Sequence, residues 1–219
     1  MADRRNHRRR GTWPFTVLGG LVASLTLGGC SPQPVVEIPH DAASGGQTQS
    51  QLDETLSGIA GLEFTKAEGS RPNVARATGY TYELTLDPGY EIADAPALVD
   101  FLVLSAWSVR DGYQPNTTIE IRLDAGPSAS DKIDIVAAAE ESGWVPVGSQ
   151  SHRIGEDGGS DPEFANGTTS VSIWLDSSNP DSPSTQKDGS VANRERLGEW
   201  PGDAPTLADD LVISRTTSK

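Results

Sequence analysis

The sequence predicts an α+β fold, and three observations carry that prediction. Apolar and polar residues alternate at Tyr80 to Asp87, Thr117 to Asp124 and Ser170 to Asp176, the mark of strands with one buried face. Segments with apolar residues at helical spacing stand between these strands. Because the strands alternate instead of running continuously apolar, the sheet is expected to cover one face with helices and leave the other wet.

In chain order, Gln51 to Ala60 repeats Leu52, Leu56, Ile59 and Ala60 at helical spacing, and Gly61 can supply a left-handed stop. Leu62 to Ala67 follows as a first strand, with Leu62 and Phe64 pointing one way. In the next strand Tyr80, Tyr82, Leu84 and Leu86 oppose Thr81, Glu83, Thr85 and Asp87. Pro88-Gly89 breaks it, and Asp94 with Pro96 opens a helix carrying Leu98, Phe101, Leu102, Ser105 and Val109 on one side, ended by Gly112. Thr117 to Asp124 sets Ile119, Ile121 and Leu123 against Thr118, Glu120 and Arg122. After Gly126-Pro127, a helix from about Asp131 to Ser142 presents Ile133, Val136, Ala137 and Glu140, with Gly143 as its stop. Ser170 to Asp176 alternates through Val171, Ile173 and Leu175, which puts Trp174 on the polar face.

Helical segments between strands suggest right-handed crossovers that join parallel neighbours. The expected domain, residues 50–176, is a two-layer sandwich of about four strands with helices on one face, loosely similar to ferredoxin-like arrangements. Residues 177–219 are polar and of low complexity, and their last apolar segment, at Leu207, Leu211, Val212 and Ile213, is a candidate docked edge strand.

The N-terminus carries an address. Arg4, Arg5, Arg8, Arg9 and Arg10 form a basic block before an apolar stretch from Trp13 to Leu27, the layout of a secretory signal. That stretch is interrupted by Pro14, Gly19 and Gly20 and falls short of the about 20 apolar residues that a membrane-crossing helix needs. It ends in Leu27-Gly28-Gly29-Cys30, and here the chain resembles the bacterial lipoprotein family, whose lipobox sets small residues before a cysteine. The resemblance covers residues 1–29 as signal peptide, cleaved between Gly29 and Cys30. It implies that Cys30, the single cysteine of the chain, takes a diacylglyceryl group with palmitate-like acyl chains and becomes the new N-terminus. The protein would then sit lipid-anchored on the extracytoplasmic face of the cell membrane. Residues 30–49, rich in Pro, Ser, Gly and Gln, read as a flexible tether. Thirteen arginines against four lysines match the bias of GC-rich genomes such as those of actinobacteria.

Cleavage would remove Asp3 and five arginines from 31 acidic and 17 basic residues, leaving 30 and 12 and a formal charge of −18. So acidic a surface argues against nucleic acid and against adhesion to anionic headgroups, both of which need a cationic face. Attachment would rest on the lipid, where two acyl chains at about 0.8 kcal/mol per methylene hold firmly and one is marginal.

Residues suited to catalysis are few. Of three histidines, His7 leaves with the signal, His40 lies in the tether and His152 alone belongs to the expected domain, which speaks against a histidine metal site. No nucleophile elbow, phosphate-binding loop or dinucleotide glycine pattern is present, so no cofactor is expected. Two acidic loops, one with Glu156, Asp157, Asp161 and Glu163 and the other with Asp176, Asn179, Asp181 and Asp188, lack calcium-loop spacing and read as solvated. Trp107, Trp144 and Trp200 read as packing residues, whereas Trp174 on a wet sheet face is the candidate partner contact. The expected function is a non-enzymatic interaction or ligand-binding module in the cell envelope. The alternatives are a carboxylate-dependent envelope hydrolase and a structural lipoprotein of a larger assembly.

Overall fold

The computed structural model describes residues 37–124, 133–147, 168–175, 184–208 and 210–214. Gly29, Cys30, His152, the first acidic loop and most of the second lie outside these residues. The fold is α+β, in the order α1 (Gln49–Ser57), β1 (Leu62–Gly69), β2 (Gly79–Leu86), β3 (Tyr90–Ile92), α2 (Ala95–Ser108), β4 (Thr118–Asp124), α3 (Ile135–Glu141), β5 (Thr168–Trp174), α4 (Ser184–Leu197) and β6 (Val212–Ser214). A four-stranded mixed sheet runs β1-β2-β4-β5, and β3 pairs with β6 in a second, two-stranded sheet. Two strands of the main sheet thus precede the first strand-joining helix, α2, unlike the β-α-β-β-α-β order of ferredoxin-like arrangements.

The alternation read from the sequence becomes burial. Tyr80, Tyr82, Leu84, Ile119, Ile121, Leu123, Val171 and Ile173 are buried together with Leu52 and Leu56 of α1, Leu98, Phe101, Leu102 and Trp107 of α2, and Ile135, Val136, Ala138 and Ala139 of α3. The intervening strand residues Thr81, Glu83, Glu120, Arg122, Ser172 and Trp174 are half-buried.

The two crossovers differ in sense. The 14 residues of α2 span about 21 Å, enough to carry the chain back along the sheet, and β2 and β4 are parallel, Gly79 opposite Thr118. The seven residues of α3 span only about 10 Å against roughly 23 Å for β4. The chain re-enters the sheet where β4 ended, Asp124 opposite Thr168, and β5 is antiparallel to β4 where a second parallel crossover was expected.

Capping moves the helix ends away from the glycines. Thr48 and Gln51 form a capping box that starts α1, and Gly58 receives its end. Gly61 does have φ +82°, but in the turn to β1, where a Cβ would stand 2.3 Å from the Tyr90 ring. Asp94 accepts from the Ala97 amide to start α2, which ends at Ser108, not Gly112, because the Ser108 carbonyl accepts from the Gln47 amide. Asp134 accepts from the Val136 and Ala137 amides at the start of α3. That helix buries Ile135, Val136, Ala138 and Ala139, a face turned by about one residue from the expected one, because Trp144 and Val145 fold back beneath it.

Two stretches read as polar and unstructured are built into the fold. Residues 39–47 form a docked strap: the Asp41 amide donates to Gly112, Ala42 to Arg110 and Gln47 to Ser108, and the buried Gln47 side chain donates to the Ser108 hydroxyl at 2.8 Å. Helix α4 presents Ser190, Asn193 and Leu197 inward, all buried. Two of these three are polar, so the sequence shows no apolar period there. Asn193 compensates by donating to the carbonyls of Trp144 and Trp174 at 2.9 and 3.1 Å. The final apolar segment docks as β6, with Leu211 buried, on β3 and not on the main sheet.

Candidate functional site

The concave feature of the main sheet lies along β1. A cavity of about 800 Å³ is lined by Asp53, Leu56 and Ser57 of α1, by Leu62 to Glu68 of β1, and by Glu83 of β2. All seven consecutive β1 residues touch it. Successive side chains point to opposite faces of a strand, so a cavity on one face would meet alternate residues only. The cavity therefore follows the strand's edge, and β1 is an edge strand of the four-stranded sheet.

Local structure holds this edge open. The register with β2 shifts between Phe64 and Lys66, a bulge that turns the strand at Thr65, and the Thr65 hydroxyl donates to the Glu83 carbonyl at 3.2 Å. Gln49 braces α1 against the strand, donating to the Asp53 carboxylate at 2.7 Å and to the Ala67 carbonyl at 2.8 Å while accepting from the Tyr80 hydroxyl at 2.9 Å. Behind the wall stands Tyr82, opposite Ala67 in register and edge-on to the Phe64 ring at 6.3 Å. Its hydroxyl is fully buried and, among the described residues, makes no hydrogen bond of good geometry, with the Tyr80 ring beside its own at 4.9 Å between centroids. Burial holds the Tyr80 and Tyr82 hydroxyls well above the ordinary phenol range, with the Asp53 charge adding to the effect.

The lining is acidic. Asp53, Glu63, Glu68 and Glu83 face a single cation, Lys66, which pairs with Glu68 at 3.6 Å. On one wall Leu56, Leu62 and Phe64 are apolar, and on the other side of the strand stand Glu63, Thr65 and Glu83. Among the described residues no group of three or more His, Cys, Asp or Glu side chains is placed to hold a metal ion.

Trp174, the contact expected from the sequence, is not part of this groove. It ends β5 opposite Thr118, at the other edge of the sheet, about 14 Å away at the usual strand spacing. It is half-buried, neither the solvent-facing side chain expected nor a core one. Trp107 and Trp144 are core residues, 2% and 1% exposed, and Trp200 is half-buried. His40 sits at the start of the strap, 3.4 Å from Glu37 and 3.1 Å from Asp41, and these hydrogen bonds, Asp41 first, raise its pKa above the ordinary value.

The groove residues were missed because their spacing, Asp53, Glu63, Glu68 and Glu83, matches no chemical motif. The one available signal was the break in alternation at Thr65-Lys66, which marks a bulge and hence a strand edge. Among the described residues no helix is long and apolar enough to cross a membrane. Comparison of the chain with protein-family models, with curated proteins and with solved structures finds no match in any of the three.

Proposed function

We propose that this chain is a membrane-anchored cell-envelope lipoprotein, held by diacylglyceryl on Cys30, whose folded part is a non-enzymatic interaction module. The observation that carries the binding half of this reading is the groove along the free edge of β1, because a concave, edge-lined cavity offers main-chain and side-chain partners together. The anchoring half rests on the basic block, the apolar stretch and Leu27-Gly28-Gly29-Cys30.

Four carboxylates in one groove also favour the hydrolase reading, since glycoside hydrolysis is worked by carboxylate pairs. Burial favours the interaction module. A carboxylic acid that must hold its proton near neutrality is built into an apolar, water-shielded site. Asp53, Glu63 and Glu68 are instead exposed to solvent and Glu83 is half-buried. Charge recognition suits such an array better than proton transfer does.

Fatty-acid labelling in a bacterial host tests the anchor. The wild-type chain is expected to take up label and to begin at Cys30 after processing, and Cys30→Ala is expected to abolish the label. A labelled Cys30→Ala variant, or a mature chain beginning elsewhere, overturns the assignment. Detergent extraction followed by co-purification tests the module: one stoichiometric protein supports it, and turnover of a wall polymer by the pure protein overturns it.

A further inference from the structure

We propose that the β1 edge receives an extended basic polypeptide as an added strand, a reading that rests on the interaction-module function and names its partner. The cavity runs the length of Leu62–Glu68, roughly 20 Å at strand rise, which matches about six residues of an extended chain. Described hydrogen bonds give the outer backbone of that stretch one side-chain cap, Gln49 on the Ala67 carbonyl. Addition of a strand supplies main-chain partners to the remainder.

The walls specify what such a strand carries. Its side chains alternate between the Leu56, Leu62 and Phe64 side and the Glu63 and Glu83 side. Apolar residues suit the first and lysine or arginine the second, so the pattern recognised is a basic–apolar alternation. A second copy of the chain is a poor occupant, since it brings the same acidic edge and a formal charge of −14.

Three fluorescein-labelled peptides test this by anisotropy against the purified full-length chain: one alternating lysine and valine, one alternating glutamate and valine, and a lysine–valine peptide N-methylated at alternate residues. The first is expected to bind saturably and to weaken with salt, the second not to bind. N-methylation leaves charge and side chains in place but blocks strand pairing, so the third is expected to lose at least tenfold in affinity. Glu63→Gln with Glu83→Gln is expected to weaken the first peptide about 2- to 30-fold at low salt, the range for two exposed charge pairs. The same charge removal by Glu199→Gln with Asp203→Asn, outside the groove, is expected to leave it within twofold. Equal binding of the N-methylated peptide, or equal loss from both charge pairs, overturns strand addition. Absence of any peptide binding beside a stoichiometric partner from membranes rejects this occupant while the module reading stands. Absence of both rejects both.

Discussion

Arg196→Ala removes three interactions at the junction of α2, α3 and α4. The guanidinium lies 3.8 Å from the centroid of the Trp144 ring, pairs with Asp100 at 2.8 Å and donates to the Ser142 carbonyl at 2.7 Å. A cation over an aromatic face at a partly exposed site contributes about 0.5–1 kcal/mol. The Arg196 and Asp100 side chains are each 40% exposed, so solvent screening limits their pair to about 0.2–1 kcal/mol. The bond to the Ser142 carbonyl satisfies the end of α3 and adds about 1 kcal/mol. The sum is about 2–3 kcal/mol, which at roughly 2–4 °C per kcal/mol lowers the melting temperature by about 4–12 °C. Because Ser190, Asn193 and Leu197 are the buried residues of α4 among those whose burial is described, and two of them are polar, the loss is expected to concentrate there. Urea unfolding gives the global figure, and amide hydrogen exchange across 184–197 gives its location. A loss under about 0.5 kcal/mol with unchanged exchange in α4 would refute the additive reasoning and the role of this junction.

Three further outcomes follow from burial and backbone geometry. Leu84 and Ile121, 2% and 0% exposed at mid-strand, are each expected to lose about 2–5 kcal/mol on replacement by alanine, and a loss under about 0.5 kcal/mol at both contradicts the sheet's orientation. Tyr82→Phe removes a buried hydroxyl that makes no hydrogen bond of good geometry among the described residues, so urea unfolding at neutral pH is expected to show stability unchanged or raised by about 1 kcal/mol. The folded state favours the protonated phenols of Tyr80 and Tyr82, so their contribution is whole below the unfolded pKa of about 10 and is lost as pH rises through the folded values. The melting temperature is therefore expected to fall above about pH 10, less steeply in Tyr82→Phe, and a flat alkaline profile contradicts this. At Gly46, φ is +55° and a Cβ would stand 2.0 Å from the Ser108 carbonyl oxygen, so Gly46→Ala is expected to release the strap, read as rapid amide exchange at Asp41, Ala42 and Gln47. Wild-type protection in that variant would show the strap adapts.

The sequence displayed those parts of the fold whose burial follows a period. β2 and β4 were found within a residue because Tyr80 to Leu86 and Ile119 to Leu123 alternate without exception. What escaped was written in polar residues. Gln47 and Asn193 hold the strap and α4 through hydrogen bonds to backbone and hydroxyl groups, and a buried amide with its partners supplied looks like any surface amide in a one-dimensional reading. The sense of β5 escaped because a strand's alternation reads the same in either direction. Trp174 was located on the correct strand face, but the groove depends on which strand ends the sheet, and edge position has no local signal apart from the bulge near Thr65.

The strap alters what the anchor does on the lipoprotein reading. With lipid on Cys30, the docked chain begins at Pro39, whose carbonyl accepts from the Gln114 amide at 2.9 Å. Nine residues of extended chain reach at most about 30 Å, whereas a tether running from Cys30 to Gln49 would reach nearly 65 Å. Accessible volume scales with the cube of reach, so the shorter leash confines the folded unit to about a tenth of the space. The concentration of its groove seen by a partner in the same membrane rises by about tenfold in consequence. An exposed charge pair contributes only about 0.2–1 kcal/mol, so an acidic edge of this kind binds weakly from solution. A tenfold gain is worth about 1.4 kcal/mol, more than any single such pair, and it is available only to a partner held at the same surface. On the lipoprotein and strand-addition proposals together, leash and groove would select for a membrane-bound or membrane-adjacent basic segment over a soluble one of the same sequence.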